Sequence, residues 1–224
     1  GSVEQSLTIT INGSNDAPTS SGAVSNSNAR EAGVDGSGAV AAVNATGSAD
    51  ALFANLTDVD DVIAAFSVTQ AKETTAGTLA SVTGADAASG TSVTGLYGTI
   101  TIGTDGSYSY VVDDTNSTVQ ALDETDTLNE AFTVVVSDGA GGSVEQSLTI
   151  TINGSNDAPV VTTNLVDQSV NEDAAFSYIV PSNAFTDFDG SDSLTYSASL
   201  VDGDALSGTW LSFDAASRTF SGTP

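Results

Sequence analysis

The stretch GSVEQSLTITINGSNDAP at residues 1–18 returns letter for letter at residues 142–159. A long internal period is the signature of a tandem array, in which each unit is one structural block. Inside both copies Leu and Ile alternate with Thr, which is the pattern of a half-buried strand. We interpret residues 1–18 as the last strand and linker of a preceding repeat, residues 19–158 as a complete unit and residues 159–224 as a further domain.

Short alternating segments fill the complete unit, and no stretch keeps a helical period. Two of the turns between them can be recognised from the sequence, because Thr104–Ser107 and Ser137–Gly142 each contain Asp-Gly, which favours a tight turn. We expect irregular structure in residues 19–50, which are rich in Ala, Ser, Gly and Asn, and a single helical turn at Thr118–Leu122. The pattern predicts an all-β fold of tandem Greek-key β-sandwiches. The predicted strands are Phe66–Val68, Tyr97–Ile102, Tyr108–Val112, Phe132–Val136 and Leu148–Ile152, together with residues 5–12.

The charge and composition of the chain exclude several classes of binding partner and catalytic site. Against 29 acidic residues stand three basic ones, and the formal net charge is −26. Such a chain repels nucleic acid and anionic membrane surfaces, and it would repel itself unless cations neutralise it. The absence of Cys and His excludes disulfides, thiolate zinc sites and a Ser-His-Asp triad. No apolar run approaches the roughly 18–20 residues of a membrane span, so we expect no direct membrane insertion.

Residues 19–158 resemble the VCBS repeat of giant bacterial surface proteins. The resemblance is specific because several motifs occur in the order and spacing of that family. The motifs are Tyr97–Ile102 with Asp105–Tyr110, Asn116 with Val119–Leu122, Phe132–Gly139 and the closing Asn156–Pro159.

Residues 159–224 look like a dystroglycan-type cadherin-like domain. That family normally continues for several more strands, so we expect this domain to be truncated at its C-terminus and to carry an open sheet edge. The residues that carry the resemblance are Val170–Ala174, Phe185–Gly190, Leu194–Tyr196, Trp210–Asp214 and Phe220–Pro224.

Together the two resemblances imply a large secreted adhesin of the RTX type, with Ig/cadherin-like sandwiches as calcium-stiffened spacers in cell adhesion and biofilm formation. They imply an extracellular or bacterial cell-surface location reached by type I secretion. The implied partners are neighbouring repeats in the same chain, and a cell-surface glycan or protein bound through other domains. Two alternatives stay open: a glycan- or peptide-binding module of such an adhesin, and a non-catalytic accessory region of a large secreted hydrolase.

Carboxylates carry the candidate chemistry of the chain. Ca²⁺ takes six to eight oxygen ligands from Asp, Glu, Asn and backbone carbonyls. Each Asn-Asp-Ala-Pro linker is followed by an acid in the next strand and then by a loop of Asp residues, and we expect these three parts to meet at one pole of a sandwich. The candidate Ca²⁺ ligands are Asn15, Asp16, Glu31, Asp58 and Asp60, with Asp61 beside them, and then Asn156, Asp157, Glu172, Asp187, Asp189 and Asp192.

Other acidic and aromatic residues have plainer interpretations. Asp105 and Asp138 precede glycines, so we interpret both as turn residues. The run Asp123–Asp126 is expected to be a solvated loop, and Trp210 is expected to be core. Paired carboxylates can hydrolyse glycosides, but these lie in turns at spacings that the junctions explain. The sequence therefore predicts no enzyme.

Overall fold

The computed structural model of the chain describes residues 2–35, 38–190 and 192–224, with Asp35 described by its backbone alone. The chain is almost entirely β, which confirms the predicted fold class. Helical structure in these residues consists of two short 3-10 turns, Ala51–Phe53 and Ile63–Ala65. None of the helices described is long and apolar enough to span a membrane.

Two compact units make up the chain. The first comprises residues 1–31, 42–113 and 127–153, and the second comprises residues 32–41, 114–126 and 154–224. In chain order the strands are β1 (Thr19–Ser20), β2 (Val24–Arg30), β3 (Gly33–Asp35), β4 (Gly38–Val40), β5 (Ala45–Gly47), β6 (Leu56–Thr57), β7 (Ser67–Glu73), β8 (Ala80–Ser81), β9 (Thr91–Thr94), β10 (Gly98–Ile102), β11 (Tyr108–Val112), β12 (Thr127–Ser137), β13 (Ser143–Asn153), β14 (Val160–Val161), β15 (Phe176–Ile179), β16 (Phe185–Thr186), β17 (Leu211–Asp214) and β18 (Thr219–Gly222).

A five-stranded sheet in the order β2-β13-β12-β7-β8 forms one layer of the first unit. β12 and β13 pair antiparallel from Thr127 opposite Asn153 to Ser137 opposite Ser143. β2 lies on the other side of β13 and runs parallel to it. Alternate residues of β13 point inward, so Leu148, Ile150 and Ile152 are fully buried.

The second layer of the first unit is a four-stranded sheet in the order β5-β11-β10-β9. β10 and β11 form the predicted hairpin, and Gly106 occupies its turn with φ of 78°, a conformation that glycine adopts without strain. The inward side chains of this sheet meet those of the larger sheet, as in the edge-to-face contact of Tyr110 with Phe132 at 6.0 Å. The first unit is therefore a β-sandwich with one apolar core.

A buried polar network crosses that core. The Tyr110 hydroxyl donates to the Glu130 carboxylate at 2.6 Å, and the backbone N–H groups of Leu96 and Tyr97 donate to the other oxygen of the same carboxylate. Tyr110 is fully buried and Glu130 is 2% exposed. Burial, followed by the neighbouring Glu130, raises the pKa of Tyr110, so its proton stays in place to donate. This network ties β11 and the turn after β9 to β12.

Two local predictions in the first unit were wrong. Residues 5–12 form no strand, although their copy in β13 does, because the position between β12 and β2 is already filled by residues 143–153. Conversely, residues 24–30 were expected to be irregular but form β2. Ala29 is the one fully buried apolar side chain that β2 contributes. Backbone pairing with β13, rather than an apolar face, therefore makes it a strand.

The second unit contains a three-stranded antiparallel sheet in the order β15-β18-β17, with two-stranded pairs β14-β16 and β3-β4. Its most buried apolar residues are Val119, Val180 and Ala184. Trp210 was expected to be core, but it is 44% exposed, and its edge-to-face contact with Phe176 at 5.9 Å covers only part of the indole. Around Thr118–Leu122, which also lies in this unit, the Gln120 N–H donates to the Asn116 carbonyl and the Leu122 N–H donates to the Val119 carbonyl, so the chain makes a single helical turn without a regular helix.

Tyr110→Phe is expected to destabilise the first unit, because it leaves a buried carboxylate oxygen without its hydroxyl donor. The cost should be about 1–3 kcal/mol, seen as a fall of roughly 2–8 °C in the thermal unfolding midpoint. Val111→Ala, at a half-exposed position of the same strand, is the matched control and should change the midpoint far less. Equal effects of the two substitutions would show that the network is not stabilising.

Candidate metal centres

The first candidate site surrounds the linker that leads into β1. The Asp16 backbone N–H donates to the Asp60 carboxylate at 2.8 Å. In the loop after β6, Asp58 accepts from the backbone N–H groups of Asp60 at 2.8 Å and Asp61 at 3.2 Å. Carboxylate oxygens of Asp58, Asp61 and Asp138 lie within 4.8 Å of one another. The structure thus brings the predicted linker and loop acids together in one place.

Asp138 is the member of this site that the sequence interpretation missed. It was interpreted as a turn residue, and its Oδ1 does accept from the backbone N–H groups of Ala140, Gly141 and Gly142. Its Oδ2 also accepts from the Asn15 side-chain amide at 2.9 Å. The hydrogen bond from Asn15 is the main cause that holds the pKa of Asp138 below its usual range. The backbone donors act in the same direction, and burial opposes them. Asp138 is therefore charged, buried and connected to the linker.

The second candidate site surrounds the linker that leads into β14. The Asp157 backbone N–H donates to the Asp189 carboxylate at 2.6 Å. In the loop after β16, the Asp189 N–H donates to Asp187 at 3.3 Å. Oxygens of Asp187, Asp189 and Asp192 lie within 4.8 Å of one another, and Asp189 is only 3% exposed. The predicted linker and loop acids meet here too.

The two sites share one hydrogen-bonding scheme. At each, the linker Asn donates its side-chain amide to the carbonyl of the following Asp at 2.8 Å. The N–H of that Asp then binds the second Asp of an Asp-x-Asp loop, whose own N–H binds the first. The loops share Thr-Asp-x-Asp and differ at the other positions: TDVDD in one and TDFDG in the other. The same backbone geometry thus accompanies the same short motif at both linkers.

Carboxylate oxygens at both sites are buried without a hydrogen-bond donor among the residues described, namely Asp58 Oδ2, Asp157 Oδ2 and Asp189 Oδ1. Burial is the main cause that raises the pKa of Asp157, and the nearby Asp187 and Asp114 add to it. Burial likewise raises the pKa of Asp189, with Asp157, Asp187 and Asp192 adding repulsion. An unpaired buried carboxylate is costly. These atoms therefore lack the positive charge that would stabilise them.

A hard divalent cation fits such a group of atoms. The donors on offer are oxygens of carboxylates, with linker carbonyls beside them, and this set suits Ca²⁺ rather than a metal that prefers nitrogen or sulfur. Asp114 belongs near the second group through its charge, although no sequence motif marks it. Its side chain also accepts from the Ala32 backbone N–H at 3.1 Å.

Two predicted ligands lie elsewhere. Glu31 was placed with Asp58 and Asp60, but its N–H donates to the Asn153 carbonyl at the end of β13. Asp138 precedes the start of β13, so the length of that strand separates Glu31 from the first site. Glu31 directly follows β2, which runs parallel to β13. Both strands therefore end at the same edge of the sheet, and Asp138 lies at the opposite edge, before the start of β13. Glu172 is exposed ahead of β15 and belongs to neither group of carboxylates found among the described residues.

Comparison with known proteins identifies the fold of the C-terminal part. The family model described as "Putative Ig domain" matches residues 158–224. No curated protein matches the chain. Residues 158–224 are thus similar to an Ig-like domain, a type of β-sandwich that is typically non-catalytic. The match begins within the Asn-Asp-Ala-Pro linker and includes Asp187, Asp189 and Asp192 of the second candidate site.

Asp189→Asn is expected to stabilise the second unit in EDTA. The amide oxygen can still accept from Asp157, while the buried unpaired charge disappears, which should yield on the order of 1–3 kcal/mol. Asp192→Asn, at an exposed position of the same group, should give a smaller gain. Thermal unfolding in EDTA measures both, and a loss of stability in Asp189→Asn would contradict the assignment of repulsion to this carboxylate.

The raised pKa values of Asp157 and Asp189 predict a pH dependence with a definite sign. Because their pKa values are raised, these two carboxylates bind protons more readily in the folded state than in the unfolded state. The unfavourable contribution of their charges to stability is therefore complete above the raised pKa values and decreases as pH falls. In EDTA, unfolding of the second unit should therefore shift to higher temperature as pH drops from about 7 toward the ordinary aspartate value of 3.8. The Asp157→Asn, Asp189→Asn double variant should flatten this trend, and an unchanged trend would contradict it.

Proposed function

We propose that this chain is a calcium-binding structural spacer of a large secreted or surface-anchored bacterial adhesin. The main observation behind this proposal is that the same pattern of hydrogen bonds occurs at both linkers. Each pattern includes carboxylate oxygens that are buried without a hydrogen-bond donor among the described residues and that a cation would stabilise. The finer family assignments, a VCBS repeat at residues 19–158 and a cadherin-like domain at residues 159–224, form part of this proposal, as do those domain boundaries.

Charge supports a role for Ca²⁺. A net charge of −26 opposes the compact state, and the three basic residues are too few to balance it. Bound Ca²⁺ turns mutually repelling carboxylates into ligands of one ion, and it also fixes the linker, since Asp16 and Asp157 are tied to the acidic loops by their backbones. The ligands we propose are Asn15, Asp16, Asp58, Asp60, Asp61 and Asp138 at the first site, and Asn156, Asp157, Asp187, Asp189 and Asp192 at the second.

An extracellular setting follows from the same chemistry as a further part of the proposal. Extracellular modules bind Ca²⁺ with Kd values around 10⁻⁴–10⁻³ M, so they fill at millimolar calcium outside the cell and empty at cytoplasmic levels. A chain that is loose inside and rigid outside suits passage through a narrow type I secretion channel. Its partners are then the neighbouring repeats, with adhesion to a glycan or protein carried by other domains.

The competing function is a ligand-binding module for a glycan or peptide. A module of that kind needs an exposed row of aromatic side chains, and the most exposed aromatic side chains among the described residues are Trp210 and Phe188. Two exposed aromatic side chains are too few for such a row. We therefore favour the spacer.

Calcium is expected to raise the unfolding temperature of the chain and to reduce the flexibility of its linkers. A ligand that binds only the folded state stabilises it by RT ln(1 + [L]/Kd), which is about 1 kcal/mol per site at millimolar calcium. Thermal unfolding and small-angle scattering, each with Ca²⁺ and with EDTA, measure these effects. If neither the midpoint nor the spread of dimensions responds, the calcium proposal fails.

Substitutions locate the effect. Asp157→Ala and Asp189→Ala should each reduce the difference between Ca²⁺ and EDTA, because each removes a carboxylate of the second site. Asp105→Ala is the matched control, since Asp105 accepts from the backbone and hydroxyl of Ser107 within its own turn. The control should leave the calcium response intact, even if it lowers stability in both conditions.

A further inference from the structure

We propose that residues 2–12, here called the N-terminal copy, can act as a strand donor that fills the slot between β12 and β2 in place of β13. The acceptor is the first unit of the same chain. The inference concerns strand exchange alone and does not depend on calcium binding.

The side chains of the N-terminal copy match the slot. Leu148, Ile150 and Ile152 of β13 are each 0% exposed, whereas their counterparts Leu7, Ile9 and Ile11 are 83%, 76% and 90% exposed. Because the two segments are identical in sequence, each contact that β13 makes through its side chains is open to the copy as well. Exchange would bury these three side chains and return Leu148, Ile150 and Ile152 to water, so apolar burial is equal in the two arrangements and a substitution in one copy shifts the balance between them.

The polar contacts of β13 are duplicated too. The buried Gln146 amide donates to the Gly22 carbonyl at 2.9 Å, and Asn153 donates to the carbonyls of Ser27 and Ala29 at 2.8 Å each. Gln5 and Asn12 stand at the same positions of the N-terminal copy. The copy can therefore satisfy the polar groups of β2 and of the segment before it, which a merely apolar strand would leave unpaired.

Exchange would join two neighbouring parallel strands, so residues 13–23 would have to form a crossover connection over the sheet. If Leu7 took the place of Leu148, residues 13–23 would have to return from the end of the slot to Val24, which pairs with Leu148. That distance is about 17 Å along the strand, and residues 13–23 reach roughly 36 Å when extended. Closing this loop instead of the tight turn at residues 138–142 changes the equilibrium only about threefold.

Contacts at the linker favour the arrangement seen here. With β13 in the slot, Asn15 reaches Asp138 and Asp16 reaches Asp60. Exchange would carry residues 13–18 to the opposite end of the sandwich, so both hydrogen bonds would be lost, as would the short pairing of β1 with β6. The two strand sequences are identical, so they cannot determine which segment fills the slot. Contacts outside the strands therefore favour β13.

The test compares Ile150→Asp with the double variant Ile9→Asp, Ile150→Asp in EDTA. A charge at residue 150 disfavours β13 in the slot, and the intact N-terminal copy should then replace it. The single variant should unfold at least roughly 5 °C above the double variant, and the amides of Leu7, Ile9 and Ile11 should exchange at least about tenfold more slowly than in the unsubstituted chain. Ile9→Asp alone should have little effect.

Phe132→Asp is the matched control, because β12 has no second copy, and adding Ile9→Asp to it should change nothing further. Should both Ile150→Asp chains be unfolded at every temperature, Ile150→Ala with and without Ile9→Ala makes the same comparison with a milder change. Identical stability of single and double variants, with the amides of residues 2–12 unprotected, overturns the proposal. A rescue that grows with protein concentration overturns the same-chain assignment and places the donor in a second copy.

Discussion

The long hairpin of β12 and β13 is the element on which the first unit depends. β7 attaches to its outer edge through β12, and β2 attaches through β13, so the five-stranded sheet is built outward from it. Its turn supplies Asp138 to the first carboxylate site, while its far end runs into the second Asn-Asp-Ala-Pro linker. The apolar core, the order of the strands and the geometry of the first site therefore all depend on the backbone hydrogen bonds between β12 and β13.

Strands with an alternating apolar face were predictable from the sequence, and those without one were not. β10, β11, β12 and β13 carry Ile, Val, Leu, Phe or Tyr at most of their alternate inward positions, and the turns of the two hairpins contain Asp-Gly. β2 has almost no apolar face, so its place beside β13 depends on backbone pairing that no local pattern reveals. The opposite error at residues 5–12 has the same cause, since an alternating segment is a strand only where a partner edge is free.

The candidate sites were predictable where the acidic residues are close in sequence and not where the fold brings them together. The Asp-x-Asp loops and the Asn-Asp linkers stood out as short clusters. Asp138 is 122 residues from Asp16, and its closeness to the linker follows from the hairpin turn facing that end of the sandwich. Glu31 and Glu172 were assigned by order along the chain, but the parallel direction of β2 and the exposure of Glu172 place them elsewhere.

Scarcity of basic residues has a consequence beyond electrostatics. Proteases that cleave after Lys or Arg find only Arg30, Lys72 and Arg218 in the chain. Arg30 and Lys72 lie within paired strands β2 and β7, and Arg218 lies in the tight turn between β17 and β18. Cleavage requires a segment to leave its pairing and extend into the protease. A sequence depleted of cations thus also offers trypsin-like enzymes few places to cut.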